Sequence, residues 1–131
     1  MWLMKHAFAR QRRNVEEAMR ALGITATQAG VVTQLQISPG LSSSDLARRL
    51  ILTPQAVMAA VGSLEKLGLL ERADDPNHGR IRQCFLTAEG KRVAADCEAA
   101  AQEVEAKLFA AFDDRQMEEF AELLGLLVRE R

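Results

Sequence analysis

A short polar stretch in the middle of the chain carries side chains suited to binding a polyanion. Residues 73–81 are rich in turn-forming types, and Asn77, His78, Arg80 and Arg82 lie in this segment or directly beside it. Guanidinium groups match the negative potential of a narrow DNA minor groove, and asparagine and histidine can add hydrogen bonds there. These four residues are therefore candidates for contact with duplex DNA, although arginines in such a hairpin are also found as plain solvated charges.

A second candidate site begins at Thr53, where the sequence predicts a helix N-terminus. The first N–H groups of a helix lack intrahelical partners and, together with the helix dipole, favour a phosphate. Gln55 can bond a base edge through two hydrogen bonds, with adenine favoured, but exposed glutamine is equally common without such a role. Small residues are expected to contact thymine methyl groups or the DNA backbone, and they are Ala56, Ala59, Ser63, Ser42, Ser43 and Ser44.

The sequence offers no arrangement of residues suited to catalysis or metal binding. GxSxG, P-loop and HExxH patterns are missing, and His6 and His78 are too few and too far apart for a metal site. Cys84 and Cys97 have no CxxC spacing and are interpreted as reduced, buried thiols, with Cys84 the better candidate for a redox sensor. We therefore expect no enzyme activity, no metal and no cofactor.

The charge is distributed unevenly along the 131 residues. The net charge of −1 is the sum of +3 over residues 1–41, +2 over residues 42–92 and −6 over residues 93–131. A polyanion is therefore expected to meet the front and middle of the chain. Because no run approaches the roughly 18 apolar residues of a membrane span and the N-terminus does not resemble a signal peptide, we expect a cytoplasmic protein without a membrane partner.

Capping residues and helical periodicity predict four helices before residue 69. The first covers residues 3–22, the second starts at Thr25 or Thr27, and Ser42 with Asp45 three residues later predicts the start of the third. Thr53 with Pro54 begins the fourth. Two short helices joined by a few residues are the helix-turn-helix pattern. In the fourth helix the predicted inner stripe is Val57, Val61, Leu64 and Leu67.

A β-hairpin is predicted directly behind these helices, because the apolar period changes from 3.6 to 2. Its strands are predicted over residues 70–72 and 82–86, with residues 73–81 as the connecting loop. A hairpin in this place is a wing. The fold class predicted is therefore mostly α with a small β-hairpin wing, and residues 25–87 form the winged helix-turn-helix core.

Two helices predicted after the wing carry more apolar surface than one chain can cover. Thr87 begins a long helix, and Asp113 with Gln116 begins a last one that is apolar on more than one face. We expect residues 1–131 to form one domain in which residues 1–23 and 88–131 are dimerisation helices packed against a second copy. The residues predicted at this interface are Met4, Phe8, Leu108, Phe112, Phe120, Leu124 and Leu127.

From Thr25 to Arg92 the sequence resembles the MarR family of winged-helix regulators. The resemblance rests on residues 64–72 (LEKLGLLER), on Asp75-Pro76 with Arg80 in the wing, and on residues 86–90 (LTAEG) at the junction that follows. It implies an obligate homodimer with recognition helices in successive major grooves, wings in minor grooves, and release of DNA by a small ligand or an oxidant. On the outer face of the recognition helix, Ala59 and Ala60 stand where such proteins usually carry an arginine or a threonine. Gly62 and Ser63 stand where they usually carry an aspartate and a long polar side chain.

These features together predict a DNA-binding transcription regulator, with repression favoured over activation. It would bind a pseudo-palindromic duplex as a homodimer and respond to a small aromatic or phenolic ligand. Because the predicted recognition helix, which begins at Thr53, carries few long polar side chains, we expect an AT-leaning site that is read partly by its shape. The alternative is a winged-helix protein-interaction or thiol-sensor module with weak or no DNA binding.

Overall fold

The computed structural model describes residues 1–129, which contain six helices and one antiparallel hairpin. This confirms the predicted fold class, a winged helix-turn-helix flanked by longer helices. The elements in chain order are α1 (Trp2–Ala21), α2 (Ala26–Ile37), α3 (Ser43–Leu50), α4 (Pro54–Lys66), β1 (Leu70–Asp75), β2 (His78–Leu86), α5 (Ala88–Leu108) and α6 (Asp114–Val128).

Polar side chains determine where five of these helices begin. The N-cap side chain of each of these five accepts a hydrogen bond from the backbone N–H three residues later, which satisfies one of the donors that a helix start leaves free. In α2, α3 and α6 the third residue also bonds back to the N-cap, which completes a capping box. The N-caps are Thr25, Ser42, Thr53, Thr87 and Asp113.

The helix-turn-helix formed by α3 and α4 has a tight turn and a closely packed inner face. Ile51 caps α3 in the left-handed conformation, with φ of 54°. The buried side chains of α4 include Val57, Val61 and Leu64, as predicted. The prediction was wrong for Ala60, which is buried because it lies one helical turn from its buried neighbours on the same face, and for Leu67, which is 60% exposed beyond the last helical residue.

The wing hairpin is longer than the sequence predicts. β1 extends to Asp75 and β2 begins at His78, so only two residues turn the chain. Asp74 pairs with Arg82 and Asp75 with His78, and the register shift between these pairs leaves residues 79–81 as an irregularity in β2. The Asp75 carboxylate accepts a hydrogen bond of 2.8 Å from the Asn77 N–H, which stabilises that turn. The loop prediction was wrong because this part of the hairpin is exposed and polar and so lacks the apolar alternation that marks a half-buried strand.

A close backbone contact joins the wing to the start of α5. The Thr87 hydroxyl donates to the Gly68 carbonyl at 2.7 Å and accepts from the Gly90 N–H at 3.0 Å. A Cβ atom at Gly90 would lie 2.0 Å from the Leu69 carbonyl oxygen, so only glycine allows this approach. The base of the hairpin and α5 are therefore held in one arrangement.

The terminal helices contribute little to the core of this chain. In α1 the one buried residue is Met19, in α5 Cys97 and Ala94 are buried with Gly90, and α6 has no buried residue. Phe109, Phe112 and Phe120 form an aromatic cluster between α5 and α6, with ring centroids 5.3–5.6 Å apart. No helix within residues 1–129 is both long and apolar enough to cross a membrane.

Candidate nucleic-acid interface

One face of α4 is open and carries mostly short side chains. Gln55, Met58, Ala59 and Ser63 are exposed, and Gly62 between them is half-buried. Their spacing of three and four residues places them along one stripe of the helix. A Cβ atom at Gly62 would meet no atom within 4 Å, so the surface along this stripe is shallow and unobstructed. The stripe has the dimensions of a helix face that can enter a major groove.

The N-terminus of α4 is built as the sequence predicts. The Thr53 side chain accepts a hydrogen bond of 3.2 Å from the Ala56 N–H, and Pro54 occupies the first helical turn. Ala56 is half-buried, whereas Gln55 is exposed at the end of the stripe. The Thr53 hydroxyl is thus used in the cap, which leaves Gln55 as the long polar side chain at this end.

The two arginines of the wing have different surroundings. Arg82 lies opposite Asp74 in the hairpin register, with its Nε 3.6 Å from the Asp74 carboxylate, and donates a hydrogen bond of 3.5 Å to the Arg72 carbonyl. Arg80, like Asn77 and His78, is exposed, and within residues 1–129 it makes no ion pair. Among the arginines of the wing, Arg80 is thus the one without an ion-pair partner in the part of the chain that the structure describes.

The three consecutive serines at the start of α3 have different environments. Ser42 is the N-cap of α3. The pKa of Asp45 lies below its usual range, first because of the hydrogen bond from the Ser42 backbone and then because of the one with the Ser42 side chain. Ser42 also forms an isolated bridge to Gln83 of β2, so α3 begins beside the wing. Ser43 is half-buried, and Ser44 is exposed.

Several cations near these elements were not among the predicted site residues. Arg48 and Arg49 on α3 are exposed, with Arg48 paired to Asp45 and the Arg49 guanidinium 3.0 Å from the Ser38 hydroxyl. Lys66 is exposed at the end of α4. Helical spacing alone could have indicated Lys66, because it lies one turn beyond Ser63 on the same stripe.

Both cysteine side chains are fully buried. Cys84 on β2 and Cys97 on α5 are each 0% exposed, and burial raises the pKa of both thiols. The Arg72 guanidinium opposes that shift at Cys84 without reversing it. Reactive cysteines need access and a lowered pKa, so these side chains have the properties of structural thiols.

The residues predicted at a dimer interface lie on the outer surfaces of the terminal helices. Those of α1 and most of those near or on α6 are exposed, while Leu108 and Phe120 are half-buried. A groove of about 390 Å³ lies where α1 packs against α5 and is lined largely by apolar side chains, among them Val15, Val104 and Phe109. Within residues 1–129 no three or more His, Cys, Asp or Glu side chains come together as a metal site would require.

The architecture and the exposed α4 face define a winged helix-turn-helix protein. Residues 22–81 match the sequence model of the MarR family. The chain is 33% identical over 126 residues to an HTH-type transcriptional repressor of Mycobacterium tuberculosis, which covers 96% of this chain and 91% of that protein. The chain belongs to the MarR family.

Solved structures agree with this assignment. A crystal structure of a Mycobacterium tuberculosis MarR family protein in complex with DNA matches with a TM-score of 0.79 and 31% identity, over 98% of this chain and 96% of that chain. A second crystal structure, of a Mycobacterium tuberculosis MarR family protein in complex with salicylic acid, matches with a TM-score of 0.79 and 33% identity. The match covers 96% of this chain and 93% of that chain.

Proposed function

We propose that this chain is a transcription regulator that represses by binding a pseudo-palindromic duplex as a homodimer. The observation that carries the proposal is the combination of an open α4 face with a wing whose Arg80 makes no ion pair within residues 1–129. Its similarity to a Mycobacterium tuberculosis repressor supports the same function. In this proposal the chain works in the cytoplasm and has no catalytic role.

Readout follows from the side chains along α4 and the wing. Gln55 bonds an adenine edge, Ala59 and Met58 contact thymine methyl groups, and Arg80 enters the adjacent minor groove. Ser44 and the start of α4 contact the phosphate backbone. Because few side chains can form base-specific hydrogen bonds, the preferred site is AT-leaning and read partly by shape.

The homodimer is supported by the apolar surface that the terminal helices leave uncovered. Phe8 of α1 is 65% exposed and Leu127 of α6 is 68% exposed, and other large apolar residues nearby are also exposed. Monomeric proteins rarely leave so many large apolar side chains exposed, and a second copy offers a self-complementary partner for them. Two copies related by a two-fold axis then present two α4 helices about one turn of the duplex apart.

A small aromatic or phenolic ligand is proposed to release the DNA. Support comes from the salicylic acid complex of the similar Mycobacterium tuberculosis protein, and from the groove between α1 and α5, whose volume of about 390 Å³ is within the range of small-molecule sites. Salicylic acid added to the protein bound to DNA should lower the affinity for DNA. An unchanged DNA titration at saturating salicylic acid would contradict this part of the proposal.

A binding titration on the promoter of the chain's own gene tests the DNA-binding role. If each subunit neutralises about three phosphates, the logarithm of the binding constant falls with the logarithm of salt concentration at a slope of about −5. Arg80→Ala should weaken binding about tenfold and make the slope less steep. Arg20→Ala removes the same charge from an exposed position on α1 and should bind like the parent. A flat salt response, or equal affinities for the two variants, would overturn the proposal.

A further inference from the structure

An ion pair joins the end of α4 to the first strand of the wing. The Arg72 guanidinium donates two hydrogen bonds to the Glu65 carboxylate, from Nε to Oε2 at 3.2 Å and from Nη2 to Oε1 at 2.9 Å. Paired hydrogen bonds of this kind fix both the distance and the relative orientation of the two groups. Only 19% of the Arg72 side chain is exposed, so its guanidinium is held against the protein.

Further polar contacts follow this pair along the hairpin. Arg72 lies opposite Cys84, and Asp74 lies opposite Arg82, which donates to the Arg72 carbonyl. Side chains alternate between the two faces of a strand, so Arg72 and Asp74 share one face of β1. The register shifts between Asp74 and Asp75, and Arg80 lies in the segment of β2 that this irregularity covers. A connected series of polar contacts therefore runs from the last turn of α4 through β1 to Arg82, which is two residues from Arg80 in β2.

Glu65 balances the positive charge on this face. It is the carboxylate that faces Arg72, and Arg82 lies close enough to add to the positive field on it. The pKa of Glu65 lies below its ordinary value, mainly because of the hydrogen bonds from Arg72, so the pair stays ionised at neutral pH. Without the Glu65 charge, two guanidinium groups near each other would repel, and nothing comparable would hold β1 to α4 at this point.

We propose that Glu65 is a positioning residue for DNA binding, which fixes the wing relative to α4 through Arg72 so that Arg80 reaches the minor groove while α4 occupies the major groove. This inference rests on the DNA-binding function proposed above. Glu65 itself is not expected to contact DNA, because a carboxylate is repelled by phosphates. Its effect on affinity passes through the wing.

A double-mutant cycle in a DNA titration tests this role. Glu65→Gln keeps the shape of the side chain but loses the charge and one of the two strong hydrogen bonds, and it should weaken binding about three- to fivefold in the parent. In the Arg80→Ala background the same change should cause no further loss of affinity, because there the wing no longer contributes its arginine. Arg72→Lys, which keeps the charge but cannot form the paired hydrogen bonds, should behave like Glu65→Gln.

Glu71→Gln is the matched control, because Glu71 is an exposed carboxylate on β1, directly beside Arg72 in the sequence. Removing a negative charge near a polyanion tightens binding by itself, so this control should bind equally well or better. A loss in Glu65→Gln is therefore opposite in sign to the simple charge effect. If Glu65→Gln binds like the control, or loses as much affinity in the Arg80→Ala background as in the parent, the inference is overturned while the DNA-binding function stands. A parent protein that binds no DNA overturns both.

Discussion

Gly62 lies in the interior of α4 on the exposed stripe. Different replacements of this residue test separately the stability of the helix and its docking on DNA. Alanine is favoured over glycine inside a helix by about 0.8–1 kcal/mol. A Cβ atom at this position meets no atom within 4 Å, so no packing is lost and the full difference should appear. Gly62→Ala should therefore raise the free energy of unfolding by about 1 kcal/mol and the midpoint of thermal unfolding by about 3 °C.

The docking of the same stripe is tested by Gly62→Glu. The free protein has room for the longer side chain, and glutamate forms helix far better than glycine, so the fold should again become more stable. In a major groove the added carboxylate would meet the negative charge of the duplex, and binding should weaken at least about tenfold. Gln36→Glu adds the same charge at an exposed position on α2 and should change affinity much less.

Urea unfolding at one fixed protomer concentration, with DNA titration by fluorescence anisotropy, measures both effects. The concentration must be fixed because the stability of a homodimer depends on it. A loss of stability in Gly62→Ala would refute the open helical environment described for this residue. If Gly62→Glu binds DNA as tightly as Gln36→Glu, then this stripe is not the surface that docks.

Three further predictions follow from close contacts and caps. Gly90→Ala should lower stability by about 3 kcal/mol or more, or prevent soluble expression, because its Cβ would overlap a backbone carbonyl; stability near that of the parent would contradict the contact. Ser42→Ala should cost about 1 kcal/mol in urea unfolding through loss of the α3 cap, whereas Ser44→Ala should cost little. Cys84 and Cys97 should react with a disulfide reagent far more slowly in the native protein than in urea. Fast labelling of the native protein would contradict the burial of these thiols. Because burial raises the pKa of both thiols, the free energy of unfolding should also fall as the pH rises past their ordinary pKa, where only the unfolded chain ionises.

Features set by neighbouring residues were predictable from the sequence. The starts of α3, α4 and α6 depend on side chains within three positions, and they lie where the sequence places them. Even the choice between Thr25 and Thr27 for the start of α2 is local, because Gln28 stands at the position that completes a capping box with Thr25. The order of helices, hairpin and long helix was sufficient for the fold class.

Features set by contacts between elements were not predictable in the same way. The outer part of the hairpin is held by cross-strand pairing of polar residues, which leaves no apolar period in the sequence. The ion pair of Glu65 and Arg72 joins residues seven positions apart on different elements, so neither helical nor strand spacing indicates it. Nothing in the residue pattern separates Arg82, which pairs with Asp74, from Arg80, which makes no ion pair within residues 1–129.

The lack of any buried residue in α6 has a consequence for the amount of protein that a cell must hold. If a second subunit supplies the missing cover, single subunits at low abundance expose apolar surface and are open to proteolysis. Occupancy of a two-fold site then rises with more than the first power of the number of chains present. Such a regulator would switch over a narrow range of expression rather than in proportion to it.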